Sequence, residues 1–165
     1  MQRYYISVIV DDHEGVLARI ASLFTQRGFN IDSITASETE APELTRITLA
    51  TTVERDRIEQ MMKQIRKLEE TRVLFLLDPD ESVMRELLLI KIRCDESNRS
   101  ALREIVEIYR AQIIDLSKDS MIVQVVGKPT KIDGFLNVIE DYEIIEMCRS
   151  GLTAFERGPK SFEIP

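Results

Sequence analysis

The sequence predicts an α+β protein built from two tandem βαββαβ units. Three observations carry that prediction. Apolar residues switch between strand-like and helix-like spacing in the order strand, helix, strand, strand, helix, strand. The same order then runs a second time. Between the two lies a short charged stretch, residues 79–83, which reads as a linker, so the expected domains are 1–79 and 80–165.

Residues 5–10 are an aromatic and β-branched run without clean alternation, which fits a strand central in its sheet or covered on both faces. From there Val16, Leu17, Ile20, Ala21 and Phe24 form a helical stripe, and Arg27-Gly28 closes it where a C-terminal glycine belongs. In residues 31–37, Ile31, Ser33 and Thr35 alternate with Asp32, Ile34 and Ala36. After Pro42, Leu44, Arg46 and Thr48 alternate with Thr45, Ile47 and Leu49. Two strands joined by a polar loop, a hairpin, account for both patterns. Ile58, Met61, Met62, Ile65 and Leu68 mark the second helix, and residues 73–77 a strand ending before Asp78-Pro79.

The second pass begins with a strand over 87–94 and a helix face at Leu102, Ile105, Val106 and Tyr109. Strands over 112–116 and 121–126 follow, then a helix marked by Ile132, Phe135, Leu136 and Ile139, and a strand over 144–148. Residues 23–32 and 108–115 echo each other faintly at the helix-to-strand hand-over. Residues 150–165, with Gly151, Gly158 and Pro159 among polar neighbours, read as an extended tail. With right-handed crossovers, each unit lays two helices on one face of a four-stranded antiparallel sheet, a ferredoxin-like sandwich. The other face and the outer strands stay open, and because unpaired strand edges recruit partners, at least a dimer is expected.

The chain has 165 residues, 44% of them hydrophobic, enough for two small cores. Its net charge of −7 argues against a nucleic-acid partner, which calls for a basic patch. An RNA-binding module would also need aromatic strands of a kind missing here. Cys94 and Cys148 stand apart without CxxC spacing, and no signal peptide or long apolar span is evident, so a reduced, cytoplasmic protein without a membrane segment is expected. Both cysteines fall in apolar strands and read as buried. With one histidine, His13, and no nucleophile–base pairing in view, an autonomous enzyme is disfavoured. Asp11-Asp12-His13-Glu14 has the chemistry of metal ligands, but adjacent residues rarely converge on one centre, and a solvated acidic turn is the reading adopted.

The turn before the first helix is the chief functional candidate. Leading N–H groups of a helix lack intrahelical acceptors and sit at the positive end of its dipole, so an anion can dock there. The dipole contributes only about 0.3–1 kcal/mol when exposed, so selectivity needs side chains, and Asp12 and Asn30 are the candidates. Gly15 permits close backbone approach, and Asn30 offers both a donor and an acceptor. That set suits the zwitterionic head of a small amino acid. Equally, an Asp before a helix is a common N-cap, and Gly and Asn near turns are ordinary turn chemistry; spacing alone leaves both readings standing.

These residues carry a family resemblance. Asp12-x-x-Gly15-Val16-Leu17-x-Arg19-Ile20 resembles an ACT domain, which many amino-acid-responsive proteins contain. Gln26-Arg27-Gly28-Phe29-Asn30-Ile31 with Arg110-Ala111-Gln112-Ile113-Ile114-Asp115, and Ser150-Gly151 after the last strand, narrow it: nearly the whole chain is similar to the small regulatory subunit of acetolactate synthase. The resemblance implies a non-catalytic subunit that activates a larger catalytic partner in valine, leucine and isoleucine synthesis and confers feedback inhibition, most often by valine. It implies no cofactor here, with thiamine diphosphate, Mg and FAD on the catalytic partner. It further implies a homodimer through the ACT domains, with the effector gripped by the first strand-to-helix turn of one protomer and the Asn-Ile turn of the other. The matching positions are Asp12, Glu14, Gly15, Val16, Leu17, Asn30 and Ile31. Many members have Asn where this chain has Asp12, a carboxylate that suits an ammonium and repels a nearby carboxylate. Asp95-Glu96-Ser97-Asn98 replaces the glycine turn in the second half, so no effector is expected there and a contact with the catalytic subunit is expected instead. The alternative is a stand-alone amino-acid-binding ACT protein acting on another target.

Overall fold

A computed structural model of the chain describes residues 1–159. They fall into two compact units, Met1–Val83 with the segment from Leu152 onward, and Met84–Gly151. The first contains β1 (Gln2–Asp11), α1 (Val16–Gln26), β2 (Ser33–Glu38), β3 (Leu44–Val53), α2 (Arg55–Ile65) and β4 (Thr71–Leu77). Its strands pair antiparallel in the order β2-β3-β1-β4. The unbroken apolar run of β1 thus marks an inner strand, with Tyr5 to Val10 buried on both faces. Ile6 lies opposite Leu49 and Val8 opposite Ile47, so these side chains share one face. They form a core with Ile20 and Phe24 of α1 and Ile58, Met61 and Ile65 of α2.

The end of α1 shows how a local signal fixes the course of the chain. Gly28 adopts φ +63°, its N–H bonds to the Thr25 carbonyl at 3.1 Å, and the Phe29 N–H reaches back to the Phe24 carbonyl at 2.9 Å. This Schellman closure needs a left-handed residue at Gly28, and its customary apolar contact is made by Phe24 and Phe29, packed edge to face at 6.4 Å. The chain therefore leaves the helix in one defined direction, toward Asn30.

The second unit contains most of β5 (Ser82–Arg93), then α3 (Arg99–Ile108), β6 (Gln112–Leu116), β7 (Ser120–Gly127), α4 (Pro129–Val138) and β8 (Ile144–Arg149). Its antiparallel order, β6-β7-β5-β8, repeats that of the first. Leu88, Ile90 and Ile92 pack with Leu102 and Val106 of α3 and Ile132 and Phe135 of α4. The faint echo between the halves has a backbone counterpart: α3 closes as α1 does, with Arg110 N–H on the Glu107 carbonyl and Ala111 N–H on the Val106 carbonyl. Here Arg110 takes the glycine's place at φ 50°, a conformation that costs an L-residue about 1 kcal/mol.

Several expectations are corrected. The linker over 79–83 is shorter, because β5 starts at Ser82. Glu86, within β5, is a buried strand residue paired with Arg149, which also bonds Asp133 at 2.8 Å. The second face of the first sheet is not open at its centre: Ser7 and Thr48 are buried. The presumed tail supplies part of that cover. Leu152 and Ala154 are buried, residues Thr153–Glu156 form β9, and the Arg157 N–H bonds to the Glu81 carbonyl at 2.8 Å. Cys94 is buried, whereas Cys148 is exposed: it stands opposite Leu89, on the face of the sheet turned away from the buried Leu88, Ile90 and Ile92. Residues 160–165 of the expected tail lie outside the described residues.

Candidate functional site

Backbone bonds set the turn after β1. The Asp11 N–H donates to the Glu70 carbonyl at 3.0 Å and the Asp12 N–H to the Glu43 carbonyl at 2.8 Å. Buried Glu70 also pairs with Arg19 on α1, fastening the helix to the same place. Gly15 is the N-cap of α1 at φ +89°, with no side-chain cap bond. The N-cap explanation for Asp12 therefore does not hold, and the first-turn amides of α1 remain without a side-chain acceptor.

Beside that uncapped end lies a cavity of about 420 Å³, within the range of small-molecule sites. Val10 and Ile47 make an apolar floor, Ala36, Ser37, Glu38 and Thr45 a wall, and Asp11, Asp12, His13, Val16 and Leu17 the side at the turn. Leu17 belonged to the helical core stripe in the sequence, yet it is 45% exposed. It faces the cavity rather than the core.

The predicted residues divide into two places. Asp12, Val16 and Leu17 line the cavity, while Glu14 and Gly15 lie in the exposed turn beside it. Asn30 and Ile31 follow the far end of α1, and eleven residues of helix span roughly 16 Å, so one chain does not bring the two groups together. Asn30 is exposed; its Nδ2 donates to Asp32 Oδ1 at 3.1 Å and its carbonyl accepts from Thr51 Oγ1 at 2.6 Å. The Arg57 guanidinium stiffens this turn by lying 4.6 Å over the Phe29 ring and donating to the Arg27 carbonyl at 3.1 Å. Ile31 is half-buried against its own core. Among the described residues no His, Cys, Asp and Glu cluster is able to hold a metal, and no helix is long and apolar enough to cross a membrane.

Two family models match the chain: that of the acetohydroxyacid synthase small subunit-like ACT domain over residues 6–73, and that of the small subunit of acetolactate synthase over residues 85–158. The acetolactate synthase small subunit of Mycolicibacterium smegmatis is 41% identical over 155 residues, covering 94% of this chain and 91% of that protein. The chain belongs to the acetolactate synthase small subunits. The family member of Buchnera aphidicola is 35% identical over 157 residues, covering 94% of this chain and 99% of its own. A crystal structure of the acetolactate synthase small subunit from Thermotoga maritima superimposes with a TM-score of 0.84 at 34% identity, covering 97% of this chain and 100% of that one.

In this member of the family, the cavity wall is what sequence reading missed. Ala36, Glu38 and Thr45 reach the turn only through strand register, which sets Ala36 opposite Ile47 of the floor and Glu38 opposite Thr45. Asp11 was seen only as part of an acidic run, yet it is held in place: Arg72 Nε and Nη2 bond its two carboxylate oxygens at 2.7 and 2.5 Å. That bidentate hydrogen bonding keeps the Asp11 carboxyl below its ordinary range, against a smaller opposing effect of burial. A depressed folded-state pKa stabilises the fold above the unfolded value, and the contribution is lost as pH falls through the folded one. Arg72→Ala is accordingly expected to raise the Asp11 titration midpoint toward the ordinary aspartate value, read by carboxyl NMR. An unmoved midpoint would show that Arg72 does not set it.

Proposed function

We propose that this chain is the regulatory partner of a thiamine-diphosphate-dependent acetolactate synthase and binds a branched-chain amino acid, valine first among them, at the turn after β1. Residues 1–79 act as the effector-binding ACT domain, and residues 80–165 as a second domain, without an effector, that contacts the catalytic subunit. Both units are assigned to the ferredoxin-like sandwich class. The chain has no catalysis of its own and works in the cytoplasm; thiamine diphosphate, Mg and FAD reside on the partner.

One observation carries the effector site: an uncapped helix start opens beside an apolar-floored cavity, while the other matched residues lie a helix length away. A single protomer therefore offers half of a site at each end of α1. In a homodimer through the ACT domains, Asn30 and Ile31 of the partner subunit close the cavity. The effector's carboxylate takes the first-turn amides of α1, its ammonium takes Asp12, and its side chain rests on Val10, Ala36 and Ile47. Asp12 in place of Asn strengthens the ammonium contact only if the carboxylate stays on the helix side.

The test mixes the purified protein with its cognate catalytic subunit. Alone it is expected to show no turnover; added to the partner it raises acetolactate formation and makes that formation inhibitable by valine. No stimulation of the cognate partner would overturn the reading in favour of an ACT protein acting elsewhere.

A further inference from the structure

We propose that the segment after Gly151 is a strap that fixes β2 for effector binding, and that Thr35 is the positioning residue through which it acts. The proposal rests on the effector site assigned above. β2 is the edge strand of the first sheet, paired on one side with β3. Both halves of the proposed site depend on it. Asn30 and Ile31 enter it, and Ala36, Ser37 and Glu38 at its far end form the cavity wall. A shift of this one strand therefore moves both.

The sheet's second face shows what holds the strand. Thr35 stands opposite Thr48, and Thr48 opposite Ser7, so all three point away from the helices. From that face Thr35 Oγ1 donates to the Leu152 carbonyl at 2.6 Å. Leu152 is fully buried and Ala154 is 1% exposed, so the acceptor lies in a seated segment, not a passing loop. Further along, the Phe155 ring lies 5.7 Å from the Arg46 guanidinium, whose Nη1 bonds Ser7 Oγ at 3.0 Å. Arg157 N–H on the Glu81 carbonyl ends the contact. An edge strand is among the easier elements to displace, and this strap meets it at mid-length, between the two groups of proposed effector residues.

Linkage makes the idea testable in both directions. If the strap holds β2 in its binding position, an effector that selects that position must in turn hold the strap. In the full-length protein, saturating valine, leucine or isoleucine is expected to slow amide exchange across residues 152–157 several-fold. Thr35→Val keeps the shape and β-branching but loses the donor. It is expected to abolish that slowing and weaken calorimetric affinity about three- to tenfold. Thr35→Ser keeps the hydroxyl and is expected to restore both. A purely structural Thr35 would leave exchange at 152–157 indifferent to effector in a protein that binds it, and that result overturns the strap. So would Thr35→Ser behaving as Thr35→Val does. Should none of the three amino acids bind the wild-type protein, the effector site itself fails, a different result from binding without exchange protection.

Discussion

Asn30→Ala is expected to weaken branched-chain amino-acid binding about ten- to hundredfold and to relieve feedback inhibition, while activation of the catalytic subunit persists. The magnitude follows from what the side chain offers an effector: a hydrogen bond to a charged group is worth about 1.5–3 kcal/mol, or one to two decades of affinity. The fold is expected to tolerate the change because little of it depends on this side chain. Asn30 is exposed, and among the described residues its side chain bonds to Asp32, which keeps the 2.6 Å bond from Thr52. The bond that fixes the local backbone, from Thr51 to the Asn30 carbonyl, survives substitution. Calorimetry with valine, leucine and isoleucine reads the affinity, and acetolactate formation in the reconstituted enzyme reads activation. Unchanged affinity for all three would place the effector elsewhere. Loss of activation together with inhibition would instead make Asn30 a residue of the subunit contact.

The sequence disclosed what depends on local periodicity and little that depends on distant register. Helices and strands appear in the order their apolar spacing implies, and Gly28 marked the end of α1 because a left-handed closure there favours glycine. The turn residues of the candidate site were readable for the same reason, since Asp12 to Leu17 are contiguous. The wall opposite them was not. Ala36 and Glu38 acquire a role only when β2 and β3 pair, and a shift of one residue would turn both toward the opposite face. The burial of Glu86 has no local signal, because the Arg149 that accompanies it lies 63 residues away. Leu152 and Ala154 failed for another reason: two inward residues among glycine and polar neighbours make no period, so a segment that seats itself on a sheet looks like a free end. The two units show both behaviours at once. The hand-over from helix to strand has matching backbone bonds in each, but Arg110 stands where the first unit has Gly28, so the geometry is reached without the residue that announced it.

Phe24→Ala is expected to be the most destabilising single change considered, at about 3–5 kcal/mol for the first unit. Phe24 is 1% exposed and among the largest fully buried side chains; truncation leaves a ring-sized void between α1 and the sheet. It also deletes the edge-to-face contact with Phe29, a pair worth about 0.5–1.5 kcal/mol beyond its burial. Domains of this size have about 5–15 kcal/mol in hand, so the loss takes a large share. Damage is expected to concentrate at the α1 exit, because Phe29 directs the chain into Asn30 and is itself 8% exposed against this core. Hydrogen exchange during urea unfolding separates the consequences. Amides of α1 and β2 are expected to lose protection at lower urea, while those of α3 and β7, whose core is built on Phe135 and Tyr109, hold theirs. Phe24→Leu, which keeps most of the volume, is expected to recover more than half of the loss. Equal loss of protection in both units would mean that they unfold as one body, and the effector response could then not be impaired through the first unit alone.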